Sequence, residues 1–191
     1  PQSLTPGQRF RISIVLDQIA FRVPVGHRLR LSLSNSYWPF VWPSQASNII
    51  TVHGGAMQLP VRQVDESLAQ PLVSFEPPEA STAWQADTLR PSSSTREIRT
   101  DANSGVVSTI IRNDFGECRD REHGLISGSV TNEDWSIHPD DPLSATAHIT
   151  WKQNGGRGEW CWTTDAEVSM HSDQQNFYVS GKLQARENGV T

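Results

Sequence analysis

The chain is short of most features that would declare an enzyme, an anchor or a nucleic-acid partner. It has two cysteines, Cys118 and Cys161, in 191 residues. That is too few for a disulfide framework, and reduced thiols of a cytoplasmic protein are the expectation. No run approaches the roughly 18 consecutive apolar residues of a membrane-spanning helix, and no charged segment followed by an apolar one opens the chain as a signal peptide would. The net charge is -5 and the isoelectric point near 5.6, so there is no basic footprint for nucleic acid or an anionic membrane. The local basic pairs, Arg9 with Arg11 and Arg28 with Arg30, alternate with apolar residues, as on the solvated face of a strand.

Catalytic signatures are also missing. A nucleophile elbow needs Gly-x-Ser-x-Gly, because small residues must flank a strained strand-to-helix turn, and no such match occurs. Six histidines and many serines make chance Ser-His-Asp triples plentiful, so no catalytic residue is assigned. His138-Pro139-Asp140-Asp141 sets only two carboxylates side by side, whereas calcium takes six or more oxygens. A turn in which Asp accepts from backbone donors is the expectation there. Cys118 and His123 lack zinc spacing with a second pair. No metal and no cofactor are expected.

What the chain has is a period of two rather than 3.6. Phe10, Ile12, Ile14 and Leu16 share one face of a first strand, and Leu29, Leu31 and Leu33 one face of a second. Arg28, Arg30, Ser32 and Ser34 lie opposite the second set. Ile49–Val52 is a further short strand, ended by Gly54-Gly55. From about 65 to 104 the chain turns rich in Pro and Ser, which predicts a long surface connection with at most a short strand near Arg96–Thr100. Alternation resumes at Gly105–Arg112, Gly124–Val130, Ala145–Trp151, Trp160–Met170 and Phe177–Ala185. Asn154-Gly155-Gly156 is a hairpin signal. With 36% hydrophobic residues, the expectation is one domain over 1–191 with a thin, layered core: an all-β, jelly-roll-type (galactose-binding-like) sandwich of two antiparallel sheets.

Phe21–Pro43, FRVPVGHRLRLSLSNSYWPFVWP, carries the clearest motif: a strand, a sharp corner, a second strand and an aromatic, Pro-rich loop. It resembles the C-terminal β-sandwich of the X-Pro dipeptidyl-peptidase and cocaine-esterase-like acyl esterases. The matching positions are Pro24, Gly26, His27, Arg28, Leu29, Arg30, Ser34, Trp38 and Pro39. Asn113-Asp114-Phe115-Gly116, His123-Gly124-Leu125 and the run from Trp135 to Ala145 are similar to the larger acyl esterases of that group. The resemblance implies a non-catalytic domain, because in that family Ser, Asp and His come from a separate α/β-hydrolase domain. It also implies early sandwich strands before Leu4 and a further strand after Gly189, so the sandwich here is expected to be incomplete at both ends.

Open edges invite pairing, and the expected partners are a second copy of the chain or an α/β-hydrolase domain or subunit. Pro24, Gly26, His27, Arg28 and Arg30 are read as structural, with His27 fixing the corner and the arginines pairing across the wet face. Tyr37, Trp38, Phe40 and Trp42 form a rigid apolar projection: a plug over the sandwich end, a domain interface or a wall of the substrate cleft. The alternative function is a free-standing carbohydrate- or ligand-binding jelly roll. Trp135, Trp151, Trp160 and Trp162 raise it, and Trp160 and Trp162 at i and i+2 share a strand face.

Overall fold

The computed structural model describes residues 5–45, 49–61 and 75–190. The chain forms two compact units, divided between Leu33 and Ser34. Described residues of the first unit carry no strand. Its defined feature is the corner at Val25-Gly26, where the His27 N–H donates to the Pro24 carbonyl at 3.1 Å and Gly26 takes φ +84°. A positive φ at the third residue of a four-residue turn is what a type II turn needs. The expected strands at Phe10–Leu16 and from Arg28 onward have no ladder, nor does Ile49–Val52. Alternation decides which side chains share a face, but a strand is completed by a partner, and no described segment pairs with these. Their stripes stay open, from Phe10 and Ile12 to Leu31 and Leu33.

The second unit is built on one antiparallel sheet of seven strands: β1 Ala86–Arg90, β2 Ser93–Thr100, β3 Val107–Asp120, β4 Ile126–His138, β5 Asp141–Arg157, β6 Trp160–Ser172 and β7 Phe177–Glu187. From β2 to β7 it is a meander, each strand pairing with the next. β1 pairs with the far end of β3, on the side that β2 occupies nearer its start. The all-β class stands: the described strands form one unclosed antiparallel sheet, consistent with a β-sandwich. The connection expected over 65–104 is also corrected: 65–74 lies outside the described residues, while 86–90 and 93–100 are edge strands. Edge strands need only one partner and have no buried face to fill. SSTREIRT can therefore pair along its length with every residue exposed and show little hydrophobic signal.

Gly116 sits where β3 changes partner. Asp114-Phe115-Gly116 forms a bulge between Asp114 and Glu117. Gly116 takes φ +84°, and a Cβ there would stand 2.8 Å from the Arg90 carbonyl oxygen. Arg90 clasps the bulge through an ion pair to Asp114 and a 3.3 Å bond to the Gly116 carbonyl. The bulge reverses which side of the sheet the later β3 residues face.

The hairpin between β5 and β6 turns at Gly158-Glu159, with Arg157 opposite Trp160, not at 154–156. Gly155 and Gly156 lie inside β5, because the Trp162 ring and the backbone at Trp160 occupy the space their side chains would need. Two other turns share one design. Asp101 and Asp120 each open a loop, accept backbone N–H groups on Oδ1, and bond through the main-chain carbonyl to a positive-φ glycine four residues on, Gly105 and Gly124.

Register assigns the faces. Across the sheet run the rows Thr109–Trp135–Ala147–Met170–Val179, Ile111–Glu133–Ile149–Val168–Gly181 and Asn113–Thr131–Trp151–Ala166–Leu183. They share one side, which is largely apolar. The other side carries Arg112 with Asp134 at 2.7 Å, His148 with Glu167 at 3.2 Å and Arg186 with Asp165 at 2.7 Å. Among the described residues the buried apolar side chains are Ala145 and Ala147. The apolar side is therefore mostly uncovered, apart from one end.

Candidate functional site

That end is covered by the aromatic loop. The Val41 N–H donates to the Tyr37 carbonyl at 2.8 Å, so Tyr37–Val41 closes as a single turn that sends its rings in two directions. Trp38 packs edge-to-face on Trp42, with centroids 5.2 Å apart, and on Trp135 of β4, 5.7 Å away. Trp42 Nε1–H donates to Ser172 Oγ of β6 at 3.0 Å. Both are half-buried. Tyr37 and Phe40 stack on each other at 5.2 Å and remain exposed. The four rings singled out in the sequence thus divide into two that anchor the loop and two that it presents.

The other expected residues lie elsewhere. Pro24, Gly26 and His27 make the corner of the first unit. Arg28 and Arg30 are exposed and make no ion pair among the described residues. His138 and Asp141 belong to the β4–β5 turn. His138 Nδ1 accepts from the Asp140 N–H at 3.2 Å, and Asp141 Oδ1 from the Leu143 N–H at 3.0 Å. Asn113-Asp114-Phe115-Gly116 is the bulge, and His123-Gly124-Leu125 closes one of the Asp-opened loops. Among the described residues no group of three metal-ligating side chains gathers.

Opposite the aromatic loop, along the same side of the sheet, the rows turn polar: Ser129–Gln153–Thr164–Ala185, then Cys118–Ser127–Gly155–Trp162–Glu187. Two open clefts meet at Trp162. One, of about 460 Å³, is lined by Gln153, Ser129 and Trp84 among others. The second, of about 530 Å³, is lined by Trp160, Thr164 and Glu187. Trp160 Nε1–H donates to Glu187 Oε1 at 2.7 Å.

Three carboxylates in the turns are held below their ordinary range. Asp101 is lowered chiefly by the Ser104 N–H and hydroxyl. Asp120 is lowered first by Trp84 Nε1–H and then by the His123 N–H. Asp173 is lowered by the Gln175 N–H and the Tyr178 hydroxyl, and Tyr178 is raised in return. These groups stabilise turns and face no cleft shared with a nucleophile.

Residues 1–90 match the family model of the X-Pro dipeptidyl-peptidase C-terminal non-catalytic domain, in agreement with the resemblance read from Pro24 to Pro39. No curated protein and no solved structure matches the chain.

Proposed function

We propose that the chain, whose residues 1–90 belong to the X-Pro dipeptidyl-peptidase C-terminal non-catalytic domain family, serves as the accessory part of a serine hydrolase of the X-Pro-peptidase and acyl-esterase type. It frames the substrate cleft and mediates assembly, while an α/β-hydrolase domain supplies the chemistry. The observation that carries this reading is the uncovered apolar side of the sheet. Ile98, Trp151, Val168, Val179 and Leu183 are between 42% and 72% exposed. Fully burying an exposed side chain of this size stabilises by roughly 1.5–3 kcal/mol; these five are already partly buried, so covering them favours association by on the order of 5 kcal/mol before its entropic costs. Tyr37 and Phe40 extend the same apolar chemistry from the loop. The outer edge of β7 has no partner among the described residues, which supports assembly by pairing as well.

Co-expression with the α/β-hydrolase domain of an X-Pro dipeptidyl-peptidase tests the reading. The two should co-purify, and V179E with L183E should separate them. The chain alone should bind the dye ANS through its open face and take no label from a fluorophosphonate probe. A monomer of 21.3 kDa that binds neither dye nor hydrolase domain would sink the assembly role. Stoichiometric labelling would sink the non-catalytic one.

A further inference from the structure

The tryptophans of this sheet divide by what their ring N–H groups do. Those of Trp42, Trp84, Trp135 and Trp160 donate to Ser172, Asp120, Glu133 and Glu187. Those of Trp38, Trp151 and Trp162 have no partner among the described residues, and no buried side-chain nitrogen or oxygen there lacks one, so these donors are open to solvent; of the three, only Trp162 borders the clefts. The Trp162 ring is nevertheless fixed. It leans over Gly155, where a Cβ would stand 2.7 Å from Cε2 and Cζ2 and 2.8 Å from Nε1. Glycine at 155 is thus the condition for the indole to lie down on the sheet. Trp162 borders both clefts at once, with Gln153 in one and Trp160 in the other.

We propose that Trp162 and Trp160, rimmed by Gln153 and Ser129, bind a pyranose ring of a neutral saccharide. A pyranose has an apolar C–H side and a polar hydroxyl edge. The fixed indole offers a partner for the first. For the second there are the free Nε1–H, the Gln153 amide and the Ser129 hydroxyl, all capable of meeting sugar hydroxyls. A purely apolar ligand would leave these groups unpaired. An anionic ligand would find no unclaimed cation, since Arg186 is held by Asp165 at 2.7 Å and Arg90 by Asp114. Each cleft is of the size that takes a small molecule, within about 300–1,000 Å³. The proposal does not depend on the hydrolase association, because its groups lie at the polar end of the sheet.

The experiment is titration of the chain with maltohexaose, cellohexaose, xylohexaose and chitohexaose, followed by tryptophan fluorescence and calorimetry. At least one should bind, with affinity falling about tenfold or more in W162A, as expected for loss of an aromatic stacking contact. W162F should keep part of the affinity, and Q153A should weaken it several-fold while leaving the circular dichroism unchanged. No binding by any of the four at about 10 mM overturns the proposal. So does binding that Q153A and W162F both leave untouched, which keeps the test decisive even where W162A does not fold.

Discussion

Trp38 and Trp162 sit at opposite ends of one sheet face, and their surroundings give them different work. Trp38 is enclosed by rings, Trp42 on one side and Trp135 on another, and the loop that carries it is tied to β6 through Ser172. Trp162 leans on a glycine and otherwise borders open clefts. Both rings are half-buried, but one is enclosed by other rings and the other borders open clefts. Truncation should separate them. W38A removes a contact shared by three rings and should cost about 2–4 kcal/mol, somewhat below a fully buried Trp. W162A should cost less, about 1–2 kcal/mol, since its half-buried ring rests on the sheet at Gly155 and no second ring encloses it. Urea unfolding of the two variants measures both. Equal losses would erase the distinction between the ends.

The bulge that divides β3 gives a second comparison, between glycines that share a backbone conformation but not a neighbourhood. Gly116 and Gly124 both have positive φ, +84° and +73°. A Cβ at 116 meets the Arg90 carbonyl oxygen at 2.8 Å, whereas at 124 the nearest atom is Arg157 Cγ at 4.0 Å. Asn tolerates the left-handed region better than other residues, so it relieves the conformational cost and leaves the steric one. G124N should therefore lose only a few tenths of a kcal/mol, while G116N should lose about 2 kcal/mol because the clash is with backbone. Thermal unfolding of the pair reads the difference.

How much of this was legible in the sequence follows the same division. The five long strands of the second half announced themselves because each sets apolar residues on one face at every second position, as Ala145, Ala147 and Ile149 do. Their ends were not legible, since β5 continues through Gly155-Gly156 to satisfy Trp162, a residue that only pairing brings opposite. β1 was missed, and β2 was legible only as a short strand near Arg96–Thr100, because an exposed edge strand needs no apolar alternation. The first-unit stripes were read as strands on pattern alone, and a pattern does not supply a partner. Of the candidate sites, the aromatic loop was visible as composition, but its split into anchoring and presented rings depends on Trp135 and Ser172, remote in sequence. Gln153 and Ser129 had no signal at all. The repeated Asp-x-x-x-Gly of 101–105 and 120–124 was there to be found: an acceptor that opens a turn, and a glycine free to take the positive φ that closes it.

Those turns set an acid limit. Asp101, Asp120 and Asp173 are all lowered from an ordinary value of 3.8. A group whose folded pKa is depressed contributes stability that is present above the unfolded value and lost as pH falls through the folded one. The sheet should therefore hold steady from neutrality to about pH 5 and weaken progressively from near pH 4 downward. D120N keeps one acceptor, for the backbone donors that Oδ1 serves or for the Trp84 N–H that Oδ2 serves but not for both, and it removes the proton uptake. It should lower stability at neutral pH and flatten the loss on acidification. An acid slope as steep as that of the unaltered chain would mean that Asp101 and Asp173 carry the effect.

The two sides of the sheet make the last and smallest contrast. Arg112 and Asp134 meet at 2.7 Å on the charged side, but their side chains are 41% and 48% exposed. Water screens such a pair, and ordering two long side chains offsets much of the attraction, so exposed pairs contribute about 0.2–1 kcal/mol. D134N should thus shift stability by less than about 1 kcal/mol, and 1 M salt should abolish most of that. On the apolar side, V168D should leave the stability of the isolated chain nearly as little changed, because Val168 is already 42% exposed. The two substitutions part company only where a partner covers the apolar side: V168D then blocks association and D134N does not. Stability and co-purification measured on both variants locate the interface on one side of the sheet, or show that it lies on neither.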